Sequence, residues 1–259
     1  MPGQRLRGGF FARVRHGDSH RPTLLYVHGL GESGLCFESL MDHPALSDWP
    51  QAAIDLRGYG GSEPAAQVLS LEAQANALAA ALTPRHYILI GHSMGGVVAT
   101  FLAELLDRRV AGFVNIEGNI SAPDCTYSAR IAACDPAVFA TTGFPRLCEE
   151  VARAGADDLA LELYARSLRL ADPGQLHLHA TELVAMSAAE TLAARMGALT
   201  MPKIYILGSP GGSGARTRAL LDRAGVAWSA ISPAGHWPFI DQTALCAAEI
   251  ASFLGRLED

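Results

Sequence analysis

The sequence predicts an α/β protein whose mostly parallel, twisted sheet carries helices on both faces. Short apolar runs alternate with helix-like runs through both halves of the chain. This alternation favours a parallel sheet, because parallel neighbours need a long crossover that is usually a helix. Between residues 119 and 196 the strand-like runs stop and only helix-like patterns remain. We therefore expect a core of residues 1–118 and 197–259, with residues 119–196 inserted as a helical lid.

Composition indicates a large core and argues against several classes of protein. Hydrophobic residues make up 49% of the 259 residues and charged residues 18%, which is typical of a folded domain. The net charge is −6 without a basic tract, so we expect no nucleic-acid partner. No apolar stretch approaches the roughly 18 residues of a membrane-spanning helix, and residues 1–15 lack the apolar segment of a secretory signal. We therefore expect no membrane association.

Cysteine usage bears on the compartment and on metal binding. The five cysteines are widely spaced, odd in number and without a C-x-x-C pair. This usage favours reduced thiols over a disulfide framework or a metal site. We therefore expect a cytoplasmic protein that holds no metal. We also expect that it needs no cofactor.

The first half of the chain supplies five predicted strands. Residues 10–16 and 23–27 flank a Gly17-Asp18 turn signal and predict an antiparallel hairpin at the start of the sheet. The elements that follow are a short helix at 33–42, a strand at 51–54, an alanine-rich helix at 70–82, a strand at 87–90, a helix at 97–106 and a strand at 110–116.

The second half begins with the predicted lid and ends with two more strands. Asp172 before Pro173 is typical of a helix start, since aspartate caps the helix and proline fits its first turn. Ser187 and Glu190 have the spacing of a capping box for the next helix. The predicted elements are helices at 145–154, 157–170, 173–187 and 191–196, a strand at 203–207, a glycine-rich loop at 208–214, a helix at 215–224, a strand at 226–231 and a helix at 242–257.

The pentapeptide Gly91-His92-Ser93-Met94-Gly95 lies between a predicted strand and a predicted helix. A serine in a glycine-lined turn at such a junction is typical of a nucleophile elbow. The turn is tight, so only small residues fit beside the serine. The Met94 amide would face the point that the Ser93 hydroxyl reaches, where it can donate to a developing oxyanion. A glycine-rich turn without chemistry is the alternative.

A serine nucleophile needs a base to take its proton, and the base needs a group that fixes its tautomer. His236 is the candidate base, because it follows the last predicted strand in a loop opened by Gly235. His28 and Glu117 also follow predicted strands directly. Ligands of parallel sheets bind beyond the carboxyl ends of the strands, so we expect these residues and Ser93 to meet there.

On four segments the chain resembles the α/β-hydrolase fold superfamily. The segments are His28-Gly29-Leu30-Gly31, residues 55–62 (Asp-Leu-Arg-Gly-Tyr-Gly-Gly-Ser), residues 91–96 and Gly235-His236-Trp237. The resemblance implies an eight-stranded sheet and the chain order nucleophile, acid, base. It also implies that the Leu30 amide is a second oxyanion donor beside that of Met94. His28, Gly29 and Trp237 are candidates for the substrate pocket, and bracing of the loop is the alternative role for His28.

The acid of the triad is the least regular part of the resemblance. In most members of the superfamily it follows the strand after the lid, where residues 208–212 hold no carboxylate. Some members, such as the haloalkane dehalogenases, place it one strand earlier, where this sequence has Glu117. Asp222 lies within a predicted helix, and Asp241 is close to His236 in sequence. We therefore expect the triad to be Ser93, Glu117 and His236.

Ser93 also selects among the reactions of the superfamily. Dehalogenases and epoxide hydrolases of this fold carry an aspartate nucleophile, whereas a serine forms an acyl-enzyme that water releases. We therefore expect a hydrolase that acts on a small-molecule acyl substrate, as an ester, thioester or lactone. A carbon–carbon bond hydrolase or a perhydrolase with the same triad is one alternative. A ligand receptor with slow hydrolysis is the other.

Overall fold

A computed structural model describes residues 3–258, and eight strands of this range form one sheet. The strands are β1 (Gly3–Arg5), β2 (Phe11–Arg15), β3 (Thr23–Val27), β4 (Gln51–Asp55), β5 (Tyr87–His92), β6 (Val110–Ile116), β7 (Lys203–Pro210) and β8 (Trp228–Ala234). Their spatial order is β1-β2-β4-β3-β5-β6-β7-β8. The pairs β1–β2 and β2–β4 are antiparallel and all other neighbours are parallel. The mostly parallel sheet is confirmed.

The described residues form twelve α-helices, some of which cover the two faces of this sheet. They are α1 (Glu38–Met41), α2 (Leu71–Ala81), α3 (Met94–Leu106), α4 (Tyr127–Ala132), α5 (Pro136–Val138), α6 (Phe144–Ala154), α7 (Leu159–Leu168), α8 (Pro173–Ala189), α9 (Leu192–Ala198), α10 (Ala215–Arg223), α11 (Pro238–Asp241) and α12 (Thr243–Gly255). On one face, residues of α2, α3 and α10 belong to the same buried apolar cluster as Leu25 and Val27 of β3. On the other, residues of α1 and α12 belong to the cluster that contains Leu24 and Tyr26 of the same strand. Because successive side chains of a strand point to opposite faces, a continuous apolar strand contributes side chains to both cores.

The expected hairpin between the first two strand-like runs was wrong. β2 pairs antiparallel with β4, in register Phe11↔Asp55, while β3 is parallel to β4 and β5. All five residues of β3 are buried, which is typical of a strand with parallel neighbours on both sides. The short strand β1 was not expected, because its three residues are exposed and carry no apolar pattern.

The chain between β6 and β7 is helical, from α4 to α9. The Asp172 cap is confirmed, since its side chain accepts from the Gln175 amide at 2.8 Å. The capping box at Ser187 was wrong: α8 continues to Ala189, so Ser187 lies inside a helix instead of before one. Glu190 pairs with Arg216. That this segment is a lid bounded at residues 119 and 196 stays a prediction.

Candidate active site

The carboxyl ends of four strands meet at one cavity of about 250 Å³. Gly29 and Leu30 follow β3, Ser93 follows β5, Glu117 follows β6 and His236 follows β8. These five residues and Trp237 line the cavity. Side chains from positions far apart in sequence are therefore brought to one place by the topology of the sheet.

Ser93 lies at a strained turn between β5 and α3. Its φ and ψ are 51° and −123°, a region that residues with a side chain rarely occupy. A side chain on Gly91 would place its Cβ 2.5 Å from the Gly95 oxygen, and one on Gly95 would place it 2.0 Å from the Val27 oxygen. The two glycines are therefore required by close backbone contacts. The Ser93 amide donates to the Ile116 oxygen at 3.0 Å, which ties the turn to the end of β6.

The amides of Leu30 and Met94 donate to no other described residue. Met94 begins α3, so its N–H is one of the donors that a helix N-terminus leaves without a partner. The carbonyl of Gly29 accepts from His28 Nδ1 at 2.8 Å and from the Glu32 amide at 3.2 Å. In a trans peptide the N–H points opposite to the carbonyl, so these bonds orient the Leu30 N–H away from them. Both amides are able to bind an anionic oxygen.

Glu117 lies in a cradle formed by the end of β7 and the glycine-rich loop that follows it. Its carboxylate accepts from the Gly208 amide at 2.6 Å, from the Ser213 amide at 2.9 Å and from the Ser213 hydroxyl at 2.9 Å. A Cβ on Gly212 would lie 2.1 Å from Glu117 Oε1, so only glycine leaves room for the carboxylate. The glycine-rich loop, which lacks an acid of its own, is thus shaped around the acid supplied by the neighbouring strand.

Glu117 is 1% exposed and contacts His236, whose Nδ1 donates to its Oε2 at 3.3 Å. Burial alone would raise the pKa of Glu117, but the hydrogen bond and charge of His236 and the amides of Gly208 and Ser213 hold it below its usual range. Burial alone would lower the pKa of His236, but Glu117 outweighs it, and the pKa of His236 is raised. Each partner therefore favours the charged form of the other.

Ser93 and His236 line the same cavity, and the hydrogen bonds of residues 3–258 include none between their side chains. Glu117 contacts Nδ1 of His236, so Nε2 is the ring nitrogen that remains available to the Ser93 hydroxyl. In proteins without substrate such contacts are often long and shorten when substrate binds.

Sequence reasoning missed a second glutamate–histidine pair in the same cavity. Glu32 Oε2 lies 2.9 Å from His92 Nδ1, and the two side chains are 3% and 1% exposed. Glu32 also accepts from the Gly29 amide at 2.7 Å and from the Trp237 indole N–H. The position of Glu32 just beyond β3, at the same edge of the sheet as the other candidates, is the signal that could have indicated it.

His28 does not line the cavity, so its expected place in the pocket is corrected. It is fully buried, and its Nε2 accepts from the Leu56 amide at 3.0 Å. Burial lowers its pKa, in agreement with a neutral ring that donates through Nδ1. His28 therefore braces the loop after β3, whereas Gly29 and Trp237 do line the cavity.

The rest of the cavity wall comes mainly from the helical segment between β6 and β7. Tyr127, Tyr164 and Leu183 supply apolar surface. Asp124 adds a third carboxylate to those of Glu32 and Glu117, and none of the described lysines or arginines lines the cavity. The wall is therefore partly apolar, and its polar part includes three carboxylates and two histidines.

Residues 3–258 contain no group of three or more His, Cys, Asp or Glu side chains that could hold a metal ion. All five cysteines are free thiols. None of the helices in this range is long and apolar enough to cross a bilayer.

The chain matches the family described as "alpha/beta hydrolase fold" over residues 22–193. The thermophilic esterase of Thermogutta terrifontis has a similar structure, with a TM-score of 0.78, 20% identity and complete coverage of both chains. At this identity the likeness concerns the fold.

Two curated relatives differ in how much of the chain they match. Lipase LipV of Mycobacterium tuberculosis is 37% identical over 106 residues, which is 40% of this chain and 40% of the lipase. The 2-succinyl-6-hydroxy-2,4-cyclohexadiene-1-carboxylate synthase of Pectobacterium atrosepticum is 26% identical over 251 residues, which is 91% of this chain and 95% of the synthase. The higher identity is thus confined to about two fifths of the lipase.

Proposed function

Because the chain belongs to the alpha/beta hydrolase fold family, we propose that it is a serine hydrolase that cleaves carboxylic esters, thioesters or lactones. One observation carries the proposal. Ser93 occupies a strained elbow in the same cavity as a histidine whose Nδ1 donates to a buried carboxylate. A nucleophile, a base and a group that orients the base are the parts that acyl transfer through a serine requires.

In the first half of the reaction His236 Nε2 takes the Ser93 proton as Oγ attacks the acyl carbon. Glu117 keeps the Nδ1 proton in place and stabilises the imidazolium that forms. The amides of Leu30 and Met94 donate to the carbonyl oxygen as it becomes an oxyanion. His236 then protonates the leaving alcohol or thiol, and the acyl group remains on Ser93.

In the second half water attacks the acyl-enzyme, with His236 as the base that takes its proton. The same two amides stabilise the second oxyanion. Collapse of this intermediate returns the proton to Ser93 Oγ and releases the carboxylic acid. The cycle needs no group besides these residues and water.

The charge of the cavity supports a neutral acyl group. Glu32, Glu117 and Asp124 line it, and no described lysine or arginine does. The two histidines of the wall, His92 and His236, are each paired with one of these glutamates. A carboxylate on the acyl chain would therefore find no unpaired cation there, and Asp124 would repel it. The apolar surface of Tyr127, Tyr164 and Leu183 suits a short or medium hydrocarbon chain instead.

A synthase reaction like that of the Pectobacterium relative is the second candidate, because that alignment spans 91% of the chain. The relative is named for a product that is a carboxylate, and a carboxylate is bound most favourably by an unpaired cation. Among residues 3–258 the cationic groups that line the cavity are restricted to His92 and His236, and each is already paired with a glutamate, so the wall favours the hydrolase.

The test compares 4-nitrophenyl butyrate with the 4-nitrophenyl monoester of succinic acid, which has the same number of acyl carbons and an added charge. We expect turnover of the butyrate, a kcat/KM at least about tenfold lower for the succinate, and a smaller gap at high salt. Ser93→Ala is expected to lose about 10⁴-fold or more in kcat. Equal hydrolysis by Ser93→Ala and the parent would contradict the proposal.

A further inference from the structure

Besides the pair that the proposed reaction uses, the cavity contains Glu32 and His92, which that reaction leaves without a role. We propose that Glu32 and His92 form a permanent buried ion pair that positions the His236 loop and the oxyanion loop against the elbow. The inference rests on the proposed function for its catalytic consequence. Its structural content, the doubly protonated ring of His92, is independent of any reaction.

The Glu32 carboxylate is a junction of three segments. Its Oε2 accepts from the Gly29 amide at 2.7 Å and from His92 Nδ1 at 2.9 Å, and Cys36 Sγ lies 3.6 Å away. Its Oε1 accepts from the Trp237 indole N–H. Burial would raise the pKa of Glu32, but His92, Trp237 and the Gly29 amide together lower it to about 2. The group is therefore a carboxylate at neutral pH, and every neighbour named here is a donor.

His92 faces an acceptor with each ring nitrogen. Nδ1 is 2.9 Å from the Glu32 carboxylate, and Nε2 is 2.9 Å from the main-chain oxygen of His236. A neutral imidazole has only one N–H and would turn a lone pair toward one of these oxygens. Both contacts are satisfied only when both nitrogens carry protons. The ring is 1% exposed, so water does not replace either partner.

The two residues thereby fix the parts of the site relative to one another. His92 belongs to the elbow and holds the carbonyl of His236, and Glu32 holds the next residue, Trp237. Glu32 also holds Gly29, whose carbonyl shares a peptide unit with the Leu30 amide. The main chain of the base and the main chain of an oxyanion donor are thus both tied to the residue before the nucleophile. Displacement of a reacting group by about 1 Å can cost about 100-fold in rate.

Glu32→Gln is the variant that disrupts this junction with little change of shape. Trp237 donates to one carboxylate oxygen while Gly29 and His92 donate to the other. An amide has a single acceptor oxygen, so whichever way it is turned at least one of these donors faces an NH₂ group. Glu149→Gln is the matched control, because Glu149 is exposed and makes no side-chain hydrogen bond within residues 3–258.

The test has two readouts. In the unmodified protein, the ¹⁵N resonances of the His92 ring at pH 7.5 are expected at imidazolium values, with both nitrogens protonated. In Glu32→Gln we expect kcat on 4-nitrophenyl butyrate to fall about 10- to 100-fold with KM changed less than about threefold, and Glu149→Gln to leave both constants unchanged. A loss confined to kcat distinguishes misplacement of reacting groups from loss of substrate binding.

A neutral-imidazole spectrum for His92, or a Glu32→Gln variant with kcat within about twofold of the parent, would overturn the inference. The spectrum is measured on the parent protein, so it decides the matter even if Glu32→Gln does not fold. Absence of ester turnover in the parent would contradict the proposed function alone, since the protonation of His92 does not depend on the substrate.

Discussion

Two glutamate–histidine pairs line one cavity, and they differ in what faces the second ring nitrogen. In both, Nδ1 lies against a buried carboxylate, at 3.3 Å for His236 and 2.9 Å for His92. Nε2 of His92 is occupied by the main-chain oxygen of His236. Nε2 of His236 has no such partner among the described residues, and its side chain is 33% exposed compared with 1% for His92.

The comparison shows that a carboxylate beside a histidine does not by itself define a base. A ring whose two nitrogens both face acceptors holds its protons, while a ring with one open nitrogen can exchange one. The cradle differs as well. Glu117 accepts from amides of one continuous segment, Gly208 at the end of β7 and Ser213 in the loop after it, whereas Glu32 joins three separate segments. We infer that the first arrangement serves proton transfer and that the second fixes geometry.

Replacing each histidine by glutamine is the strongest way to break this comparison. His236→Gln removes the base and is expected to lower kcat about 10⁵- to 10⁶-fold. His92→Gln removes only positioning contacts, so we expect a loss of about 10- to 100-fold. Steady-state kinetics on 4-nitrophenyl butyrate measure both, with exposed His16→Gln as the control. Losses of similar size in the two variants would remove the distinction between the pairs.

Glu117→Gln tests the acid of the first pair. The variant keeps the size of the side chain but loses the charge that stabilises the imidazolium, and it allows the wrong tautomer of His236. We expect kcat to fall about 10³- to 10⁴-fold, by comparison with the loss of charge at other triad acids. Asp222→Asn is expected to have no effect, because Asp222 instead accepts from the Trp228 indole. The reverse pattern in the same assay would contradict the assignment of Glu117.

Gly212→Ala tests the cradle without altering any of the polar groups. The added Cβ would lie 2.1 Å from Glu117 Oε1 and 2.5 Å from the Gly208 oxygen, so the carboxylate must move. We expect kcat to fall about 10- to 100-fold. Gly255→Ala makes the same chemical change where the added Cβ would meet nothing within 4 Å beyond the adjacent residues and backbone of its own helix, and should leave kcat unchanged. A fully active Gly212→Ala variant would show that the position of Glu117 is not critical.

A shift in the pH profile of kcat/KM is the smallest of the expected effects, and it tests whether Glu117 controls the pKa of His236. His236 must be neutral to accept a proton, and its pKa is raised above 6.5 chiefly by Glu117 acting against burial. We expect kcat/KM to decrease as the pH falls through this raised pKa. A Glu117→Gln variant with residual activity should shift that decrease to lower pH, because the charge that raises the pKa is gone. An unshifted profile would mean that another group controls the acid limb.

Local patterns predicted most of the fold, because each helix or central strand is encoded in its own segment. The elbow was predictable because it needs only a strand, a glycine-lined turn and a helix in succession. The helix cap at Asp172 was predictable from the proline that follows it. Pairing of strands depends on distant segments, so the hairpin expected for β2 was wrong. The capping box at Ser187 was wrong because α8 continues to Ala189 and Ser187 is buried within it.

In the site, the order of residues along the chain led to the candidates, but their contacts could not be derived. Ser93, Glu117 and His236 each follow a strand, and the sheet carries all three to one cavity. The role of residues 208–214 as a cradle depends on a carboxylate about 90 residues earlier, which no local pattern encodes. The same holds for Glu32, whose donors come from three segments.

The formation of an acyl-enzyme on Ser93 is the central claim, and trapping it is the most direct test. The protein is mixed with 4-nitrophenyl butyrate and quenched in acid within milliseconds. It is then digested, and the masses of the peptides are measured by mass spectrometry. We expect a butyryl group on the peptide that contains Ser93, formed with a burst of nitrophenol and absent from Ser93→Ala. Turnover with the acyl group on another residue, or a burst that survives in Ser93→Ala, would contradict the account.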